Sequence, residues 1–272
     1  MKSGLYIVAT PIGNLEDITL RAINVLKKSD VILCENTKHS LKLLRHFDIK
    51  NVKIEKYTDH DFNKKHKHIE GLIKSEKIIS LISDAGSPII SDPGSNLVKY
   101  LFGNDCHIES IPGPSSIVSA MQLSGFYNSY PTTFLGFLPK KIEQKKKCFK
   151  NMTSSNIVFF TTSPQLNKDI ETIFDLDPSC KITVLNEMTK KFEKRLSFSS
   201  KEYEQIKPLV LKGEFVICVE YNGVKEILEL NDNQILKDLA KYGSKNIYEI
   251  YRTTYNIKRN ELYKKILTVK KN

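Results

Sequence analysis

The chain has 272 residues, 40% of them hydrophobic and 27% charged, with 42 Lys and Arg against 31 Asp and Glu for a net charge of +11. This composition describes a folded globular chain of one or two domains and excludes disordered and fibrous classes. No run of about 18 apolar residues occurs, which excludes a helical membrane span.

The strand-like run that opens at Leu5 predicts no signal peptide, and five Cys without C-x-x-C spacing predict a reducing cytoplasm with neither a disulfide framework nor a zinc site. In chain order, strands are predicted over 5–9, 31–34, 52–54, 77–82 and 107–111, and helices over 19–28, 39–47, 63–74, 95–102 and 115–123. Such β-α-β-α alternation predicts an α/β layer with mostly parallel strands. A second unit follows Gly125, with strands over 134–138, 157–160, 182–185 and 215–219 and helices over 140–150, 165–174 and 201–211. From Leu230 the pattern changes. Ile235, Leu236 and Leu239, then Ile247, Ile250 and Tyr251, then Leu262, Ile266 and Leu267 fit three short amphipathic helices, with Gly243 as the stop between the first two. The expected domains are 1–114, 115–228 and 229–272.

Three loops rich in Gly and Pro follow strands of the first half: Ala9 to Leu15, Ser83 to Gly94, and Ile111 to Ser116. Gly lets a backbone approach a ligand closely and Pro pre-sets turns, so loops of this kind at the carboxyl ends of parallel strands form the edge of a ligand cleft. None is a G-x-G-x-x-G motif or a P-loop, and no H-E-x-x-H, G-x-S-x-G or EF-hand pattern occurs. His66 and His68 flank Lys67 in a Lys-rich segment, which reads as a solvated face rather than a metal site.

The segments LYIVATPIGNLEDITLRA, SDAGSPIISDPG, IPGPSS and TFLGFLPKK together resemble the ribosomal RNA small subunit methyltransferase I family, enzymes of the tetrapyrrole methylase-like, class III S-adenosylmethionine (SAM) methyltransferases. The resemblance extends from Leu5 to about Lys265. It implies an α/β fold of two domains with SAM in the cleft between them, plus a small helical extension at the C-terminus. It also implies 2′-O-methylation of a cytidine in the decoding region of small-subunit (16S) ribosomal RNA, free or in an assembled subunit, by a homodimer. Carried over motif by motif, the cofactor positions are Pro11, Gly13, Asp84, Ala85, Gly86, Ile89, Ile90, Asp92, Pro112, Gly113 and Pro114. Candidates for catalysis, including a base for the ribose hydroxyl, are Glu35, His60, Glu187 and Lys190. The RNA-binding candidates are Lys38, Lys140, Lys141, Lys145, Arg252, Lys258 and Arg259. No metal is implied.

Several positions depart from the family pattern. The acidic residue and the Arg expected in the CENTK segment are Asn36 and Lys38. A Tyr-Glu-Ser-Pro-His-Arg-like segment reads Thr161-Thr162-Ser163-Pro164-Gln165-Leu166, and the Arg expected before Glu187 is Asn186. These changes fall on the acceptor side. They keep open a catalytically silent RNA-binding or ribosome assembly protein that retains the SAM cleft, while the shared fold and cofactor, with a basic cleft that would suit carboxylates, keep open methylation of a small acidic tetrapyrrole.

The surplus charge is not spread evenly. Lys140, Lys141, Lys145, Lys146, Lys147 and Lys150 oppose only Glu143, and residues 234–272 hold eight Lys and two Arg against three acids, so these two segments account for the whole excess. Clustered Lys with interleaved Tyr points to an RNA contact.

Overall fold

The computed structural model describes residues 1–126, 129–149, 152–223, 232–255 and 259–269. Lys258 and the side chains of Arg252 and Arg259 lie outside the described residues, and with them the RNA contacts expected there.

Strands β1 (Gly4–Val8), β2 (Val31–Cys34), β3 (Lys53–Lys56), β4 (Ile78–Ile82) and β5 (Ile108–Ile111) form one sheet in the order β3-β2-β4-β1-β5. Every pairing in it is parallel. The connecting helices are α1 (Leu20–Lys28), α2 (Thr37–His46), α3 (Phe62–Lys74) and α4 (Ser95–Phe102). One core joins Leu26 of α1 and Leu44 of α2 to the sheet, and another joins Ile69 of α3 and Leu97 of α4 to it. Covered on both faces, the central strands are apolar at nearly every position, as parallel strands are. Two boundaries are set by caps. Thr19 accepts from the Ala22 amide, and Asn36 accepts from the amides of Lys38 and His39 (3.1 and 3.2 Å), so α2 begins two residues before the predicted start. The Asn36 departure therefore retains a helix-capping oxygen.

After α5 (Ser116–Ser124) the chain builds β6 (Thr132–Phe137), α6 (Ile142–Phe149), β7 (Ser155–Thr162), α7 (Leu166–Leu176), β8 (Lys181–Asn186), β9 (Lys194–Ser199), α8 (Ser200–Ile206) and β10 (Glu214–Tyr221). The second sheet has the order β6-β7-β10-β8-β9. Only its β6–β7 pair is parallel. β9 was not expected from the sequence. It is an edge strand whose only apolar side chains are Leu196 and Phe198. α8 ends five residues before the predicted limit because Pro208 disfavours helical geometry at the residue before it, and Lys207 is extended (φ −72°, ψ 150°).

Lys145 corrects the sequence reading. Expected on an RNA-facing surface, it is 1% exposed. Its ammonium forms an ion pair with Asp169 and donates to Gln165 Oε1 (3.3 Å), while Thr161 Oγ1 donates to the other Asp169 oxygen. Helical spacing explains the burial: residues i and i+4 share a face, and Lys145 lies on the face of α6 that carries buried Phe149. Lys140, Lys141 and Lys147 are exposed.

Both sheets lie in one compact unit, residues 1–223, and residues 224–272 form a second. In the second unit α9 (Asp232–Tyr255) breaks from helical geometry at Gly243 (φ 72°), the expected stop, and α10 (Arg259–Val269) follows. Ile235, Ile247, Tyr251, Leu262 and Ile266 form its core. No helix among the described residues is long and apolar enough to cross a membrane.

Candidate active site

The loops after β1 and β4 are tied together at the backbone. The Thr10 amide donates to the Gly86 carbonyl (2.8 Å) and the Gly86 amide to the Thr10 carbonyl (3.0 Å). In the longer loop Ile89 (φ 78°) and Ser91 (φ 66°) occupy the left-handed region, which is costly for side-chain-bearing residues and is commonly retained at ligand sites. That geometry sends the two isoleucines in different directions. Ile89 packs on the first sheet's core, whereas Ile90 is 48% exposed and lines a cavity.

Two cavities flank these loops. The first, of about 280 Å³, has apolar walls from Ile12, Ile90, Phe137, Leu185 and Met188 and hydroxyls from Ser87, Ser115 and Thr162. Its ionisable groups among the described residues are Asp92 and Glu214, with no Lys, Arg or His among the described residues that line it. The second, of about 500 Å³, lies along Pro11, Gly13, Ser83 and Asp84 and the middle of α2 from His39 to Leu43. It carries three basic groups, His39, Lys42 and Lys190, beside Asp84 and Glu214. Ile12, Ala85 and Glu214 line both.

The sequence-derived cofactor positions thus divide. Ala85, Gly86, Ile90 and Asp92 line the first cavity, whereas Pro11, Gly13 and Asp84, with Ala85 again, line the second. Pro112, Gly113 and Pro114 line neither. A Cβ on Gly113 would stand 3.1 Å from Ala9 Cβ, and the Pro114 carbonyl accepts from Ser87 Oγ (3.2 Å), so this loop holds the other two in place. Burial, reinforced by the negative charges of Glu35 and Asp84, pushes the Asp92 carboxyl up to about 6. One oxygen of Asp84 is buried without a hydrogen-bond partner.

Among the catalytic candidates, Glu35 and His60 are exposed and line neither cavity. Glu187 is committed to structure: its Oε1 accepts from the Glu214 amide (2.8 Å) and from Lys190 Nζ (3.0 Å). The Glu214 amide first, and Lys190 after it, hold its carboxyl below the usual range, which makes it a poor proton acceptor. Burial alone would lower the Lys190 ammonium, but contacts with Glu214 and Glu187 outweigh it and hold it raised. The 187–190 turn also meets the β1 loop. The Asn14 amide donates to Thr189 Oγ1 (3.1 Å), and a Cβ on Gly13 would stand 2.5 Å from Lys190 Cγ and 2.9 Å from the Met188 carbonyl. Lys38 is exposed in the first turn of α2.

Glu214, Met188 and Phe137 were not singled out from the sequence. Antiparallel pairing explains this: β10 runs against β7 and β8, so its first residue, Glu214, sits opposite Thr162, and Phe215 sits opposite Asn186. An N-terminal strand end therefore joins the edge formed by carboxyl ends. A Gly-Glu pair just before an apolar run was the available signal. The departures are accommodated here too. Asn186 Nδ2 donates to the carbonyls of Lys212 (3.0 Å) and Glu214 (3.2 Å), fixing the start of β10.

Residues 4–203 match the model of the Tetrapyrrole (Corrin/Porphyrin) Methylases. The chain is 42% identical over 258 residues to the ribosomal RNA small subunit methyltransferase I of Rickettsia prowazekii, covering 92% of this chain and 90% of that protein. It is 34% identical over 277 residues to the protein of the same name from Buchnera aphidicola, covering 97% and 96%. Among solved structures, the methyltransferase CobJ shares the fold with a TM-score of 0.61 at 12% identity, over 80% of this chain and 94% of that one. A Thermus thermophilus uroporphyrin-III C-methyltransferase complexed with S-adenosylhomocysteine aligns with a TM-score of 0.54 at 16% identity, over 79% and 96%. With the model matched over most of its length and relatives aligned nearly end to end, the chain belongs to the ribosomal RNA small subunit methyltransferase I family of the tetrapyrrole methylases.

Proposed function

We propose that this protein transfers a methyl group from SAM to the ribose 2′-hydroxyl of a cytidine in small-subunit ribosomal RNA. The observation that carries the reading is the contrast in charge between two adjoining cavities. SAM bears a sulfonium and an ammonium against one carboxylate. The first cavity fits it: Asp92 and Glu214 supply negative charge, no basic side chain among the described residues competes, and Ile90, Leu185 and Met188 offer apolar surface to an adenine. RNA brings phosphodiesters, and the second cavity presents His39, Lys42 and Lys190 to them.

When bound, the cofactor supplies an electrophilic methyl group. This chain's residues do the rest. The strained 84–92 loop and the Met188 turn wall the donor side from water, and Lys42 and Lys190 hold the acceptor strand by its phosphates. Fixing donor and acceptor in line is the main source of acceleration in such a transfer. Lys38, Lys140 and Lys141, all exposed, and the basic extension add further phosphate contacts.

The test is mass spectrometry of small-subunit RNA, naked and in assembled subunits, after incubation with the protein and SAM. One new methyl on a cytidine ribose supports the reading. A methyl on a base, or transfer only to a tetrapyrrole, contradicts it.

A further inference from the structure

Three residues line both cavities, Ile12, Ala85 and Glu214, and only Glu214 has an ionisable side chain. A methyl group passing from one cavity to the other crosses the place where they meet, so the acceptor oxygen must lie there too. Glu214 is well placed for work rather than for packing. Its side chain is 75% exposed, at the first position of β10, with its backbone fixed by Glu187 Oε1 and by Asn186. Among the described residues its side chain pairs with Lys190, at 2.9 Å. Lys190 also contacts Glu187 at 3.0 Å, so it can shift toward a phosphate without losing every anionic neighbour.

From this arrangement we propose that Glu214 is a catalytic residue that accepts the proton of the ribose 2′-hydroxyl during methyl transfer, with Lys190 as the positioning residue that aims its carboxylate. The inference rests on the function proposed above. In the step, the hydroxyl oxygen forms a bond to the methyl carbon while the carbon–sulfur bond breaks. The sulfur keeps that electron pair and becomes a neutral thioether, and the hydroxyl proton passes to the Glu214 carboxylate.

Asp92 and Asp84 are the competing carboxylates. Asp92 lines only the donor cavity and Asp84 only the acceptor cavity. Geometry ranks before proton affinity in choosing a base, and geometry favours the group that faces both. The titratable groups around Glu214 among the described residues are Lys190 and Glu187 on the 187–190 turn, Asp84 on the 84–92 loop, His39 and Lys42 on α2, and Asp92 across the donor cavity.

The experiment compares wild type, Glu214→Gln, Glu214→Asp and Asp84→Asn, with SAM and small-subunit RNA as probes. Glu214→Gln is expected to fold, because the side chain it changes is solvent-exposed. At saturating SAM it should slow single-turnover methylation about 100-fold, flatten the fall in rate at acid pH, and bind RNA as tightly as wild type or more tightly, since a negative charge beside Lys190 is gone. Glu214→Asp should recover part of the rate and restore the acid limb, which Asp84→Asn should retain. The assignment is overturned if Glu214→Gln keeps the wild-type rate and acid limb, if it loses RNA affinity, or if Asp84→Asn alone flattens the limb. Wild type that does not methylate the RNA removes the proposed function and this assignment together. Wild type that does, alongside an equally fast Glu214→Gln, removes the assignment alone.

Discussion

The two cavities adjoin at the same three residues yet are built from different parts of the chain. The first adds to the 85–92 loop the strand ends of the second sheet, with Thr161, Thr162, Leu185 and Val216. The second is walled by the β1 loop and one face of α2, with Thr10, Pro11, Gly13, Ser40 and Leu43. The strand-built cavity combines apolar walls and hydroxyls, and its ionisable groups among the described residues are acidic, which suits a small cationic donor. The loop-and-helix cavity is the larger and carries cations, which suits an anionic polymer. On the proposed reading, charge sorts the two substrates before geometry aligns them.

The largest expected effect tests the strand-built side. Lys145→Met leaves Asp169 buried and unpaired behind the Thr161 wall and should lower stability by about 3–5 kcal/mol, measured by chemical denaturation. Lys145→Met combined with Asp169→Leu should recover most of that loss. A single variant as stable as wild type would show that the wall does not depend on the pair.

Next in size is Gly13→Ala. Its new methyl meets Lys190 and the Met188 carbonyl, so the acceptor cavity is displaced. Methyl transfer should fall about 100-fold, while calorimetry shows a smaller loss of SAM affinity, since the displaced turn also carries Met188 of the first cavity. A loss of SAM affinity as large as the loss of rate would return Gly13 to the cofactor side.

A smaller effect is expected for Asp92→Asn, which should weaken SAM binding about tenfold, the loss of one charge-assisted contact. Because the Asp92 carboxyl titrates near 6, wild-type SAM affinity should decline as pH falls through 6, and the variant's should not. The sign for stability without ligand is opposite. A carboxyl raised on folding favours the folded state in its protonated form, and that contribution is lost as pH rises through about 6. Asp92→Asn should therefore raise the apo melting temperature at pH 8 relative to wild type. The smallest effect is that of Lys42→Met, which should reduce the salt dependence of RNA binding by about one unit of slope and leave SAM binding intact.

The parallel half was legible because fully covered strands are apolar throughout and their carboxyl-end loops are marked by Gly and Pro. The chemistry at the other edge was not. Glu214 reaches the site only through the antiparallel register of β10, and no local pattern announces that register. β9 was invisible because an edge strand with two apolar residues in six has little hydrophobic signal. Lys145 misled because composition counts charges without regard to helical phase, and its phase with Phe149 points it inward. The motif loops were found as one set, yet the chain folds them so that Ile90 and Asp92 face one cavity and Pro11, Gly13 and Asp84 the other.

The most direct test of this division is paired calorimetry, titrating SAM and then small-subunit RNA into wild type, Asp92→Asn and Lys42→Met. Asp92→Asn should weaken SAM binding and spare RNA, and Lys42→Met should weaken RNA binding and spare SAM. If Lys42→Met weakens SAM as much as Asp92→Asn does, the two cavities are not separate donor and acceptor sites.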